Sequence, residues 1–158
     1  RSIFHWTWGR SGNPCSPGQF CDAPTCLTGS CRAKGTTAQE NGNKNPVCGC
    51  DDSTYWNATV ALSHGMPVKS ATVCNPQKFC GGFAGFACPA GSSCSYQVTS
   101  VSECSTSDLS GLCWVIPQSC ATIGFGPNTR ACGSPSCTDE CNLTRLEVPW
   151  YVDNTCPM

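Results

Sequence analysis

Cysteine constrains this chain more than any other residue: 17 of its 158 residues are Cys. At that density, covalent sulfur bridges rather than buried hydrocarbon must hold the fold together. The remaining composition narrows the partners. Charged residues make up 12% and the net charge is −1, which gives no electrostatic basis for binding nucleic acid or an anionic bilayer. No apolar run approaches the ~18 residues that crossing a membrane requires. Neither nucleic acid nor a membrane is therefore expected as a partner. Disulfides persist in oxidising compartments. Two N-glycosylation sequons, Asn57-Ala58-Thr59 and Asn142-Leu143-Thr144, point the same way. The expectation is a secreted, extracellular glycoprotein, with Arg1 reading as the start of a processed form.

The cysteines repeat. Cys15-Ser-Pro-Gly-Gln-Phe-Cys21 has the spacing of Cys88-Pro-Ala-Gly-Ser-Ser-Cys94, Gly29-Ser30-Cys31 corresponds to Gly111-Leu112-Cys113, and Cys48-Gly49 corresponds to Cys132-Gly133. The copies close at Cys74 and Cys156. This repetition predicts two units, residues 1–76 and 77–158.

A second signature lies inside the first unit. Asn45-Pro-Val-Cys48-Gly49-Cys50-Asp51-Asp52-Ser-Thr54-Tyr55-Trp56-Asn57 resembles the central motif of Kazal-type serine protease inhibitors. It matches the variety in which Pro-Val-Cys-Gly-Cys-Asp-Gly leads into Thr-Tyr-x-Asn. The resemblance implies a small disulfide-rich α+β fold of two Kazal-like units. Each would be a short helix on a small antiparallel sheet, preceded by a cystine-rich loop cluster. Local signals agree with this in part. Asn57 to His64 reads as a helix ended by Gly65, followed by a strand returning to Cys74. Thr138 reads as the cap of a second helix reaching about Glu147, with Trp150-Tyr151-Val152 as the strand before Cys156.

The same resemblance implies disulfides. In the first unit these are Cys31–Cys50 and Cys48–Cys74; in the second, Cys113–Cys137, Cys120–Cys141 and Cys132–Cys156. One bridge of the family is missing from the first unit at both ends. Thr59 occupies one position, and no cysteine lies between Cys31 and Cys48 to occupy the other. Cys15, Cys21 and Cys26 are then left over, and the counterpart of Cys80 falls on Thr7. One of the three should be unpaired or should link two chains into a dimer.

Kazal-type inhibitors act through a loop held rigid in the shape the protease binds, so that docking costs little entropy. The resemblance puts Thr122 in the specificity pocket, followed by Ile123, with Arg130 as an out-of-register basic alternative. In the first unit the corresponding stretch, Arg32 to Asn45, lacks its anchoring bridge. It reads as a polar loop whose Arg32, Lys34 and Lys44 are solvated charges.

Other chemistries are weaker. His5 and His64 have no nucleophile-elbow pattern beside them. The Cys48-x-Cys50 and Cys132-x4-Cys137-x3-Cys141 spacings read as cystines rather than zinc ligands, so no cofactor or metal is expected. The adjacent carboxylates Asp51-Asp52 and Asp139-Glu140 leave a small cell-wall glycosidase as an alternative, although turn and helix-start roles account for both pairs. Trp6, Trp8, Tyr55, Trp56, Trp150 and Tyr151 offer flat faces to carbohydrate, or bulk for a small core. Binding and inhibition of an extracellular serine protease is the leading expectation. A non-inhibitory extracellular binding protein on the same scaffold comes next.

Overall fold

Short antiparallel strands, stapled by cystines, are the main regular elements of the computed structural model, which describes residues 15–96, 108–118, 129–131, 134–138, 143, 150–152 and 155–156. The chain divides into two compact units, Arg1–Asn75 and Pro76–Met158.

In the first unit, β1 (Gln19–Asp22) and β2 (Ser30–Ala33) make a hairpin in which Cys21 lies opposite Cys31. Phe20 and Cys21 are buried while all of β2 is exposed. A three-stranded sheet follows, ordered β4-β3-β5, from β3 (Val47–Gly49), β4 (Thr54–Tyr55) and β5 (Val68–Ser70). Gly49 allows the close packing at its centre. A Cβ there would meet Asp51 Oδ1 at 2.6 Å, and Met66 Cγ and Tyr55 Cε2 at 2.7 Å. Glycine at position 49 is therefore sterically favoured.

Helix α1 (Ala58–Ser63) is six residues long, too short to be stable alone. It is fixed at both ends and along its buried face. The Asn57 side chain caps its start by accepting from Val60 N at 3.1 Å. Gly65, at φ +66°, turns the chain at its end, where Gly65 N donates to Leu62 O and Met66 N to Ala61 O. Val60 and Ala61 are fully buried, and burying Val60 alone is worth about 1.5–3 kcal/mol. The remaining core of this unit is Phe20, Ala23, Val47, Tyr55, Trp56 and the cystine sulfurs.

The second unit holds a three-stranded sheet ordered β6-β8-β7, from β6 (Phe79–Gly81), β7 (Ser93–Tyr96) and β8 (Ser110–Trp114). The same unit also holds the antiparallel pair β9 (Thr129–Ala131) and β10 (Trp150–Val152). Trp114, Val115, Thr129 and Leu143 are buried here. Whether Thr138 starts a longer helix lies outside the described residues.

Six disulfides join the described residues: Cys15–Cys31, Cys26–Cys50, Cys48–Cys74, Cys80–Cys94, Cys88–Cys113 and Cys137–Cys156. Three implied pairings are corrected. Cys31 joins Cys15 rather than Cys50, because the turn at 16–19, where Gln19 N donates to Ser16 O, folds the chain before β1 against the end of the hairpin. Cys50 instead takes Cys26, which adopts φ 60° in the β1–β2 connection. Cys113 joins Cys88, so Cys137 is left to Cys156, and Cys132 is not the partner of Cys156. The bridge that would join Arg130's strand to Cys156 arises from the neighbouring segment, where Cys137 pairs across from Arg130. Cys120 and Cys141 lie outside the described residues.

The two cysteine clusters nevertheless correspond. Cys15–Cys31 and Cys88–Cys113 link equivalent positions of the repeat, and Cys94 faces Cys113 across β7–β8 as Cys21 faces Cys31. The difference is Cys94's bond to Cys80. Its first-unit counterpart, Cys21, is buried and unbonded, the one free cysteine among the described residues. The position equivalent to Cys80 is Thr7, which explains why Cys21, of the three candidates, is the one left over.

Candidate functional site

The segment linking the first unit's cysteine cluster to β3 is held in place by side chains beneath it. A single 3-10 turn, Thr37–Gln39, precedes it, with Thr36 N–H donating to Gln39 Oε1 at 2.9 Å. The chain then leaves through Glu40 in extended conformation, φ −67° and ψ 140°. Residues 41 to 45 are all exposed.

Asn57 fixes this segment from below. Only 5% of Asn57 is exposed, and every polar atom of its side chain is engaged. Nδ2 donates to the carbonyls of Asn41 and Asn43, each at 2.9 Å, and to Asn41 Oδ1 at 3.1 Å. Oδ1 accepts from Val60 N and from Thr59 Oγ1 at 2.7 Å. One amide thus ties the start of α1 to the backbone on both sides of Gly42. Thr59 Oγ1 also accepts from Asn41 N at 3.4 Å.

Trp56 forms the wall. It is 3% exposed; its Nε1 donates to Gly42 O at 2.9 Å, and its own carbonyl accepts from Asn45 N at 3.1 Å. Lys44 Nζ sits 5.5 Å from the Trp56 ring centroid, within cation–π range. Asn41 Oδ1 additionally accepts from Asn43 N at 3.1 Å. The result is a rigid, solvent-facing loop whose backbone is held by hydrogen bonds rather than by a disulfide. Gly42, at its crest, has open space where a Cβ would be.

The sequence did not single out this site. It marks Thr59 as the place of a missing cysteine and makes this segment a polar loop without an anchoring bridge. The signal lies in Asn57, which the sequence presents as a sequon asparagine. In the folded unit the amide nitrogen a glycan would occupy is buried and donates to three oxygens. Asn142 lies outside the described residues.

The other candidates fall elsewhere. Thr122 and Ile123 lie outside the described residues. Arg130 is not on a loop; it sits in β9 opposite Tyr151, and its guanidinium donates to Pro135 O and, at 3.4 Å, to Thr155 Oγ1. Arg32 pairs with Asp22 at 3.1 Å across the β1–β2 hairpin, and the stem of Lys34 lies against Gly65.

Asp51 and Asp52 serve the turn after β3. Asp51 accepts from Ser53 N and Tyr55 OH, while Asp52, at φ 59°, pairs with Lys69. Burial first, then the Asp51 charge and hydrogen bond, hold the Tyr55 hydroxyl far above the usual tyrosine range. Asp139 and Glu140 lie outside the described residues. His64 caps α1, with its ring edge-on to Tyr55, and no described residue hydrogen-bonds its buried Nε2.

The sulfurs of Cys80, Cys88 and Cys94 lie within 4.8 Å of one another, but all three belong to disulfides and supply no thiolate to a metal. Cys21, only 3% exposed, is too deep to link two folded chains. Searches against protein-family models, curated proteins and solved structures gave no match to this chain.

Proposed function

We propose that this chain is an extracellular protein that presents residues 41–45 to a serine protease as a substrate-like inhibitory loop. The observation that carries the proposal is the double donation from Asn57 Nδ2 to the carbonyls of Asn41 and Asn43. A loop ordered before binding loses little conformational entropy on docking, and one still ordered after cleavage is slow to release. The Kazal-like motif at Asn45–Asn57 supports the same reading, since it supplies both β3 beneath the loop and the asparagine that holds it. The density of disulfides fits an oxidising, extracellular setting.

Gly42 stands at the crest, so the specificity pocket would receive no side chain. That favours proteases with a shallow or occluded primary pocket, of elastase-like character, over trypsin-like enzymes. The test is a panel of trypsin-, chymotrypsin-, elastase- and subtilisin-like proteases. Inhibition by the wild type that is lost in Asn57→Ala supports the proposal. Absence of inhibition by both the wild type and Gly42→Leu across the panel rejects it.

A second reading is favoured by one contact. The Gly42 carbonyl accepts from Trp56 Nε1, whereas in a protease cleft the equivalent oxygen must turn to the oxyanion donors. The scaffold would then be a binding protein that does not inhibit, and Trp56→Phe would create inhibition absent from the wild type.

A further inference from the structure

Asn41 is the one asparagine of the chain that a glycine follows. It opens the loop over Asn57, and both Asn41 and Gly42 are exposed. We propose that Asn41 is a self-modification site, at which the folded loop promotes conversion of the asparagine through a cyclic imide to aspartate and isoaspartate. Water is the co-reactant. The inhibitory reading is not required, because the chemistry belongs to the loop itself.

The step is an intramolecular acyl transfer between groups the chain already holds side by side. The Gly42 nitrogen attacks Asn41 Cγ and loses its proton; an N–Cγ bond forms and negative charge collects on Oδ1. The Cγ–Nδ2 bond then breaks and ammonia leaves. Water opens the imide at either carbonyl, so the chain continues through the α-carbonyl in aspartate or through Cγ in isoaspartate. Nothing is oxidised or reduced.

Each reacting group is in the state the step needs. Asn41 Oδ1 accepts from Asn57 Nδ2 and from Asn43 N, each at 3.1 Å. The Asn43 N–H can only donate, so the atom it meets is the amide oxygen. Donors aimed at the oxygen where charge develops act as a small oxyanion hole. Asn57 Nδ2 also donates to the Asn41 main-chain carbonyl at 2.9 Å, and can shift toward Oδ1 as charge builds there. Among the described residues nothing accepts from Gly42 N or bonds Asn41 Nδ2, so nucleophile and leaving group are both free. Open space around Gly42 admits water and leaves no Cβ to obstruct the attack.

Neighbouring asparagines lack this combination. Asn45 and Asn75 precede Pro46 and Pro76, whose nitrogens have no proton to lose. The Asn57 amide is buried. Asn43 is exposed in the same loop, but Lys44 follows it and brings a Cβ to the attacking nitrogen. The isoaspartate product puts an extra carbon into the main chain and a carboxylate beside it. That alters the spacing by which one Asn57 amide holds the carbonyls of residues 41 and 43.

Incubation of the full chain at neutral pH, with peptide mapping that separates Asn, Asp and isoAsp at position 41, tests this. The reference is the same chain reduced, alkylated and denatured. The native chain should convert Asn41 about tenfold faster than the denatured one, the worth of hydrogen bonds that strengthen with charge in a site open to water. Asn43 should lag behind Asn41 in the native chain. Asn57→Asp replaces a donor by an acceptor and should bring the rate down to the denatured value. If order merely shields Asn41, the native chain will be the slower of the two and Asn57→Asp will speed conversion. Either of those results, or equal rates in the native and denatured wild type, would overturn the proposal; the wild-type comparison decides even if Asn57→Asp does not fold.

Discussion

Thr59 accepts a hydrogen bond from the backbone N–H of Asn41, 3.4 Å from Oγ1 to N, at the position where the Kazal resemblance calls for a bridging cysteine. A polar tether stands on this side, where the resemblance implies a covalent one. Thr59 also donates to Asn57 Oδ1, so its hydroxyl links loop, cap and helix. Asn57 therefore serves two elements at once: its oxygen caps α1 and its nitrogen holds residues 41 and 43.

Substitution separates those roles. Asn57→Asp keeps an acceptor for Val60 N but loses the donor to the loop. Asn57→Ala loses both. We expect Asn57→Asp to retain the α1 cap while residues 41–45 become susceptible to limited proteolysis. Asn57→Ala should cost about 2–4 kcal/mol in denaturant unfolding, for a cap plus buried carbonyls left unpaired. Peptide mass analysis of the protein expressed in a glycosylating host should find no glycan at Asn57. A glycan there in a folded, stable chain would contradict the arrangement.

Cys21 leads to the next expectation. Its equivalent, Cys94, is bonded to Cys80, and the first unit has Thr7 at that place. Cys21 should resist alkylation in the native protein and react once the chain is denatured. Thr7→Cys should remove that thiol by forming a bond to Cys21. Thiol titration in denaturant, with peptide mapping, checks both. Rapid alkylation of native Cys21, or a free Cys21 in Thr7→Cys, would count against the equivalence.

How much of this was legible in the sequence differs between the two halves of each unit. The cluster repeat could be read because cysteine spacing is preserved, and Cys15–Cys31 and Cys88–Cys113 occupy matching places. Helix α1 could be read too, since Asn57, Val60, Ala61 and Gly65 combine cap, apolar face and terminator. The pairing of Cys31 and Cys50 could not. Their partners depend on how the β1–β2 hairpin folds onto the chain before it and on where Cys26 swings, and spacing carries no such information. The loop over Asn57 was hidden for a related reason. A buried amide that organises two distant segments has the same local sequence as an exposed sequon, and only the tertiary fold distinguishes them.

Gly42 allows a gain-of-function test. Nothing lies within 4 Å of where its Cβ would be, and its φ is not in the left-handed region. Gly42→Leu should thus leave stability within about 0.5 kcal/mol. If the crest enters a specificity pocket, filling it with leucine is worth about 1.5–3 kcal/mol, or roughly a 10- to 150-fold lower inhibition constant against a chymotrypsin-like enzyme. Gly42→Lys should shift preference to trypsin-like enzymes. Identical inhibition profiles for all three proteins would place the contact surface elsewhere.

Tyr55 governs the alkaline limit. Its ring is 3% exposed, and its hydroxyl donates to Asp51 Oδ2 at 3.0 Å. Burial and the adjacent carboxylate both oppose the phenolate, so the folded protein binds the Tyr55 proton more tightly than the unfolded chain, where tyrosine titrates near about 10. Below that pH both states are protonated and this contribution to stability is fully present. Above it the unfolded chain holds fewer protons, so stability must fall as pH rises. The slope should approach about 1.4 kcal/mol per pH unit from this residue alone. Tyr55→Phe should lower stability at neutral pH by about 1 kcal/mol through the lost hydrogen bond, and should flatten the decline above pH ~10. The Tyr55 phenolate absorbance should be delayed until the chain unfolds. A titration in which the tyrosine signal lost in Tyr55→Phe ionises near the ordinary value while the fold persists would show that Asp51 and Tyr55 are not packed together as described.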